Sequence, residues 1–153
     1  MEKHYYFREL YADAQEYAVE KNKDLALDEY WYQDTIDLFG DLGAYVEDFQ
    51  VEINPTYVDY KFEQEPYEVA ENFLQEFPEC IHCANWLEFV QTAPSQEDYD
   101  LALSLFKKDM EEFMLGIIEK EYNALTEWGR VSEFLDDFGI LFDKEGRRIY
   151  DEQ

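Results

Sequence analysis

Cys80-Ile81-His82-Cys83 is the one stretch of this chain whose residue types and spacing could bind a metal or carry redox chemistry. Two thiols three residues apart supply half of a tetrahedral zinc site, but there is no second cysteine pair, and the only other histidine is His4. A thioredoxin-like dithiol would open a helix that follows a strand, whereas here a proline-terminated helical segment precedes the pair. Reduced structural thiols are therefore the expectation, with no metal and no cofactor. The sequence holds no glycine-rich phosphate loop, no nucleophile elbow, no His-Glu-x-x-His pattern and no EF-hand loop. The 38 acidic residues could be combined into many general acid/base pairs, but no spacing singles one out, so an enzyme is not expected.

The carboxylates carry more information as a population. Against 38 acidic side chains stand 12 basic ones, a formal net charge of −26, far more than solubility asks of a domain of 153 residues. Between Lys23 and Lys107 the only basic residue is Lys61, and from Asp24 to Phe106 the sequence holds 20 acidic residues, a net of −19. The final third regains seven basic side chains, from Lys107 and Lys108 to Arg147 and Arg148. The acidic face should therefore belong to the first two-thirds.

Elements able to hold those charges can be read from periodicity. Phe7, Leu10, Ala14 and Ala18 mark an amphipathic first helix from Phe7 to Asn22. A second helix, with Asp28 as N-cap and Gly43 as stop, places Trp31, Thr35, Leu38, Phe39 and Leu42 on one side and Asp34, Asp37 and Asp41 on the other. Three carboxylates three and four residues apart share one exposed face. The period then changes to two: Phe49, Val51 and Ile53, then Val58, Tyr60 and Phe62, alternate with polar neighbours around Asn54-Pro55, which predicts a β-hairpin.

Pro66 opens a third helix burying Val69, Ala70, Phe73, Leu74 and Phe77, and Pro78 ends it; Ile81 to Val90 form a short fourth. Ser95 and Asp98 cap the longest run, with Leu103, Phe106, Met110, Phe113 and Ile117 as its seam, expected to pack within the chain rather than against a second copy. A last helix from Val131 to Phe138 closes at Gly139 and leads into a hairpin turning at Asp143-Lys144-Glu145-Gly146, with Arg147 to Tyr150 as the return strand. The expected class is α+β, a single acidic domain over 1–153 with about six helices, one long, and one or two antiparallel hairpins.

Such a surface should repel nucleic acid and anionic membranes alike, and its natural partner is a basic protein. A net of 26 charges equals that of about 13 base pairs of duplex, so carboxylates on rigid elements could occupy the phosphate sites of a nucleic-acid-binding protein. Thirteen Tyr, twelve Phe and three Trp favour a protein interface over a merely salt-adapted surface. The acidic face is expected to comprise Asp34, Asp37, Asp41, Glu47, Asp48, Glu52, Asp59 and Glu63, with Tyr30, Trp31 and Tyr32 beside it as aromatic anchors.

Phe7-Arg8-Glu9-Leu10 with Ala14 and Ala18, the Glu121-Tyr122 and Leu125 positions, Ser132-Glu133-Phe134-Leu135, and Phe142-Asp143-Lys144-Glu145-Gly146-Arg147 together resemble a family of small acidic phage and prophage proteins, some labelled antitoxins. The resemblance covers the two ends and the hairpin between Phe49 and Phe62, and leaves 66–96 without a counterpart. It implies a mobile-element origin, and proteins of that origin are similar in charge to antirestriction and anti-CRISPR DNA mimics. It carries over no catalytic residue. The functional expectation is an inhibitor that binds a host nucleic-acid-handling enzyme, a CRISPR effector or restriction nuclease, with an antitoxin neutralising a basic toxin as the alternative. With no apolar run near 18 residues and no leader pattern in MEKHYYFREL, the expected location is the cytoplasm of the host cell.

Overall fold

The computed structural model describes residues 3–27 and 30–149. Among them are six α-helices, one much longer than the others, and two small antiparallel sheets, the expected α+β class. None of the described helices is long and apolar enough to cross a membrane. The chain divides into two compact units: one is built from both ends, up to Trp31 and from Glu121 onward, and the other from Tyr32–Lys120.

In the first unit, β1 (Tyr5–Tyr6) leads through a 3-10 turn (Phe7–Glu9) into α1 (Ala12–Asn22) and a second 3-10 turn (Lys23–Ala26). The single first helix expected from Phe7 to Asn22 is thus broken. The Glu9 carboxylate accepts the Tyr6 amide at 2.8 Å and the Leu10 amide donates to the Phe7 carbonyl at 3.1 Å, which closes one tight turn. Leu10 and Tyr11 then run extended, with ψ of 148° and 159°. The apolar spacing nevertheless identified the core, because Phe7, Leu10, Ala14 and Ala18 pack with Val19, Val131, Leu135 and Phe142 in one buried cluster.

From the other end of the chain the unit receives α6 (Trp128–Asp137) and β4 (Leu141–Phe142). α6 begins one turn earlier than expected and ends in a Schellman arrangement: the Ile140 amide donates to the Leu135 carbonyl, the Gly139 amide donates to the Asp136 carbonyl, and Gly139 has φ +63°. The C-terminal turn forms as expected, with Gly146 at φ +87°, and Arg148 bridges back to Phe142. Tyr150, the expected end of that return strand, lies outside the described residues. The pairing of β1 with β4, Tyr5 opposite Phe142, has no periodicity signal, since each strand is two residues long.

The second unit contains α2 (Gln33–Asp41), β2 (Ala44–Gln50), β3 (Tyr57–Phe62), α3 (Pro66–Glu76), α4 (Ile81–Gln91) and most of α5 (Gln96–Leu125). Pro66 occupies the first turn of α3. Val69, Ala70 and Phe73 are fully buried, while Leu74 and Phe77, also expected in the core, are half-buried. Phe73 stacks on Phe39 of α2 with ring centroids 5.8 Å apart, and Trp86 of α4 stacks on Phe106 of α5 at 4.8 Å. Burial of each such ring contributes about 1.5–3 kcal/mol.

α5 starts as expected, with the Ser95 hydroxyl accepting the Asp98 amide at 3.2 Å. Its buried line, however, is Phe106, Met110, Met114, Ile118 and Tyr122, spaced four apart throughout. Leu103, Phe113 and Ile117, expected in the seam, are half-buried flanks of that line. A spacing of four advances about 40° per step around a helix of 3.6 residues per turn, so the stripe winds instead of holding a heptad face. The last turn, from Glu121, belongs to the first unit, where the Tyr122 hydroxyl donates to Asp24 at 3.1 Å.

Candidate protein-binding surface

α2 positions the first group of carboxylates. The helix begins at Gln33 with Tyr32 as N-cap, later than a cap at Asp28 would require, and Asp28 itself lies outside the described residues. Phe39 is completely buried, and half-buried Thr35, Leu38 and Leu42 flank it on the inner side. Gly43, at φ +102°, stops the helix as expected, and a Cβ there would sit 2.9 Å from a Val69 methyl. On the outer side Asp34, Asp37 and Asp41 are all exposed. Gln33 donates to the Asp37 carboxylate at 2.8 Å, which restrains one of the three.

The second group lies on the β2–β3 hairpin, which differs from its expected form. β2 starts at Ala44 and ends at Gln50, so Val51 and Ile53 fall in the connecting loop and Ile53 is 69 % exposed. β2 also carries a β-bulge. Val46 pairs with Tyr60 and Asp48 with Asp59, which leaves Glu47 without an opposite residue. The extra residue reverses the in-out alternation: Ala44 and Val46 point inward before it and Phe49 after it. A simple period of two cannot be fitted across that point.

Cross-strand partners share a side of the sheet, so the register puts Tyr45, Asp48 and Gln50 on one face with Lys61, Asp59 and Tyr57. The Tyr57 hydroxyl donates to Asp48 Oδ2 at 2.7 Å. That hydrogen bond, then burial and the charges of Asp48 and Asp59, raise the Tyr57 phenol above its ordinary value. Glu47 lies 3.7 Å from the Lys61 ammonium, which also sits 5.5 Å over the Tyr45 ring. The structure therefore brings Glu47, Asp48 and Asp59 together. Glu52 and Glu63 are exposed at the loop and just beyond β3. Tyr45 and Tyr57 were not among the expected site residues; the alternation Tyr57, Asp59, Lys61 was the available signal for the second of them.

The face is not uniformly negative. A groove of about 480 Å³ between β3 and α5 is lined by Lys61, Lys107 and Lys108 together with Asp59 and Glu111. At its wall the Tyr60 hydroxyl donates to the Lys107 carbonyl at 2.6 Å, and burial raises its phenol above the ordinary value.

The three aromatic candidates divide between the units. Tyr30 is 59 % exposed. Trp31 is half-buried with its ring 5.6 Å from Tyr122, and Tyr32 is half-buried against Phe49 at 4.9 Å in an edge-on contact. Tyr30 is thus the most accessible of the three.

Cys80 and Cys83 are free and buried. Cys80 is the N-cap of α4, so the pair stands at a helix start, and the element before it is α3 and not a strand. Among the described residues no three His, Cys, Asp or Glu side chains converge as metal ligands. No family model matches the chain, and no curated protein or solved structure matches it.

Proposed function

We propose that this protein is a phage or mobile-element inhibitor that binds a host nucleic-acid-handling defence enzyme, a CRISPR effector or restriction nuclease, by imitating the charge of a nucleic acid. The observation that carries this reading is the ordered display of exposed carboxylates within the most acidic part of the chain. Asp34, Asp37 and Asp41 stand at helical intervals of about 4.5 and 6 Å, of the same order as the 3.4 Å axial spacing of phosphates along one DNA strand. Held on a helix and on a paired hairpin, these charges lose little entropy on meeting lysines and arginines, which is what separates a mimic from a solvated acidic tail. Tyr30 supplies exposed aromatic surface of the kind that anchors protein interfaces. The resemblance of the chain's two ends to small acidic phage proteins supports the mobile-element origin.

The test is a pull-down from bacterial lysate at about 0.1 M salt, repeated near 1 M, with captured proteins challenged by duplex DNA. Capture of a nuclease or CRISPR effector that DNA displaces and salt weakens is the expected result. Capture of a partner indifferent to both overturns the mimic. If co-expression then rescues growth from a single basic toxin, the antitoxin reading takes its place.

A further inference from the structure

Cys80 and Cys83 are brought together by the start of α4. Cys80 caps the helix, Cys83 is its third residue, and their sulfurs lie 3.3 Å apart. That approach is shorter than an ordinary sulfur contact, and closing it to a bond of about 2.05 Å needs only a small side-chain adjustment. The Cys83 sulfur is also 3.5 Å from the Met110 thioether of α5, so three sulfurs form one buried chain. Residues exposed by 1 % at Cys80 and 0 % at Cys83 admit no bulky reagent. Two unbridged thiols in contact at a helix N-terminus are more than packing requires, because a buried thiol fills space equally well without a second sulfur beside it.

We infer that Cys80 and Cys83 form a peroxide-reactive dithiol, with Cys80 as the attacking thiol and Cys83 as the resolving one. The environment distinguishes the two roles. The Cys83 thiol, together with the amides of Cys83 and His82 and the charge of the His82 ring, lowers the Cys80 thiol below its ordinary value in spite of burial. The hydrogen bond to Cys80 and burial raise Cys83, which keeps its proton.

In the first step the Cys80 thiolate attacks one peroxide oxygen. A sulfur–oxygen bond forms, the oxygen–oxygen bond breaks, and the departing oxygen takes a proton to leave as water, or as an alcohol from an organic hydroperoxide. In the second, the Cys83 sulfur attacks the sulfenic sulfur of Cys80. The sulfur–sulfur bond forms, the sulfur–oxygen bond breaks, and hydroxide leaves as water with the Cys83 proton. Two thiols are oxidised to one disulfide and one peroxide is reduced by two electrons. Burial selects the oxidant: a hydroperoxide can diffuse in, whereas exchange with glutathione disulfide needs a mixed disulfide that the enclosed Cys80 cannot accommodate.

The folded full-length protein is treated with hydrogen peroxide and, in parallel, with glutathione disulfide, then alkylated after denaturation and weighed. Peroxide is expected to remove both free thiols with loss of two hydrogen masses. Cys83→Ser is expected to stop at a sulfenic acid on Cys80, which dimedone captures once the protein is denatured, and Cys80→Ser to react at least about tenfold more slowly than the native protein at neutral pH. Native protein that keeps both thiols, or gains only added oxygens without bridging, overturns the proposal, and this readout does not depend on either variant folding. Faster bridging by glutathione disulfide than by peroxide overturns the choice of oxidant and with it the proposal.

Discussion

Asp48 and Asp59 stand directly opposite each other across the β2–β3 ladder, one step beyond the bulge at Glu47. Like charges in that relationship cost stability, about 0.2–1 kcal/mol for a cross-strand pair. The Tyr57 hydroxyl on Asp48 relieves part of that cost by donating to one carboxylate. Asp59→Asn is therefore expected to raise the urea midpoint by an amount corresponding to about 0.2–1 kcal/mol, and, on the proposed function, to weaken capture of the target enzyme. A lower midpoint would mean that Asp59 is held by partners its register position does not reveal.

The α2 carboxylates allow charge and stability to be separated. Asp34, in the first turn, is favoured by the helix dipole, whereas Asp41, at the last position, is disfavoured by it, and the three repel one another at spacings of three and four. These effects are each a few tenths of a kcal/mol and largely cancel. The triple variant Asp34→Asn, Asp37→Asn, Asp41→Asn is expected to fold with a thermal midpoint close to that of the native protein. Its capture of the target should weaken at least about tenfold at 0.1 M salt and lose part of its salt dependence. Unchanged capture in a well-folded triple variant would remove α2 from the interface and leave the hairpin as its centre.

Two glycines should respond in opposite directions to the same change. Gly146 combines φ +87° with an approach so close that a Cβ would lie 2.2 Å from the Ala14 carbonyl oxygen. Backbone strain alone at such a position costs about 1–3 kcal/mol, and here the turn must also move away from α1. Gly116, inside α5, has nothing within 4 Å of an added Cβ. Gly146→Ala is expected to destabilise by at least about 1–3 kcal/mol, and Gly116→Ala to stabilise by about 0.5–1 kcal/mol. Urea unfolding of the two variants beside the native protein checks both signs.

Those two positions also illustrate what the sequence discloses. Gly146 is legible because Asp-x-x-Gly before a return strand specifies its own turn, and the same local chemistry marked Gly43, Gly139, Pro66 and Ser95 correctly. The core of the first unit was legible through Phe7, Leu10, Ala14 and Ala18, even though the helix drawn through them is interrupted. The losses are non-local. The bulge at Glu47 depends on how β2 meets β3, and so does the span of β2 from Ala44 to Gln50, short of Val51 and Ile53. The winding stripe of α5 depends on what surrounds it, so Met114 and Ile118 replaced Phe113 and Ile117. Of the candidate site, exposure of the carboxylates followed from patterning; the contacts linking Tyr57 to Asp48 and Lys61 to Glu47 required the register.

Asp143 makes the C-terminal turn sensitive to acid. Its Oδ1 accepts the amides of Glu145 at 2.9 Å and Arg147 at 3.0 Å, and its Oδ2 accepts Arg147 Nε at 2.8 Å. Burial works to raise the carboxyl, but these hydrogen bonds and the guanidinium charge outweigh it and hold the group below its ordinary 3.8. A carboxyl depressed on folding is protonated first in the unfolded chain. Its contribution is therefore complete well above 3.8 and is lost as the pH falls through the lower folded value. The stability difference between the native protein and Asp143→Ala should be constant from about pH 8 to pH 5 and should shrink below about pH 4. Taking the difference matters, because acid also neutralises the repulsion behind the net charge of −26 and shifts both proteins together. Urea midpoints for the pair across that range decide the matter: a difference that persists unchanged to about pH 2 would mean that the carboxyl serves the turn through its shape and backbone acceptors, with its charge irrelevant.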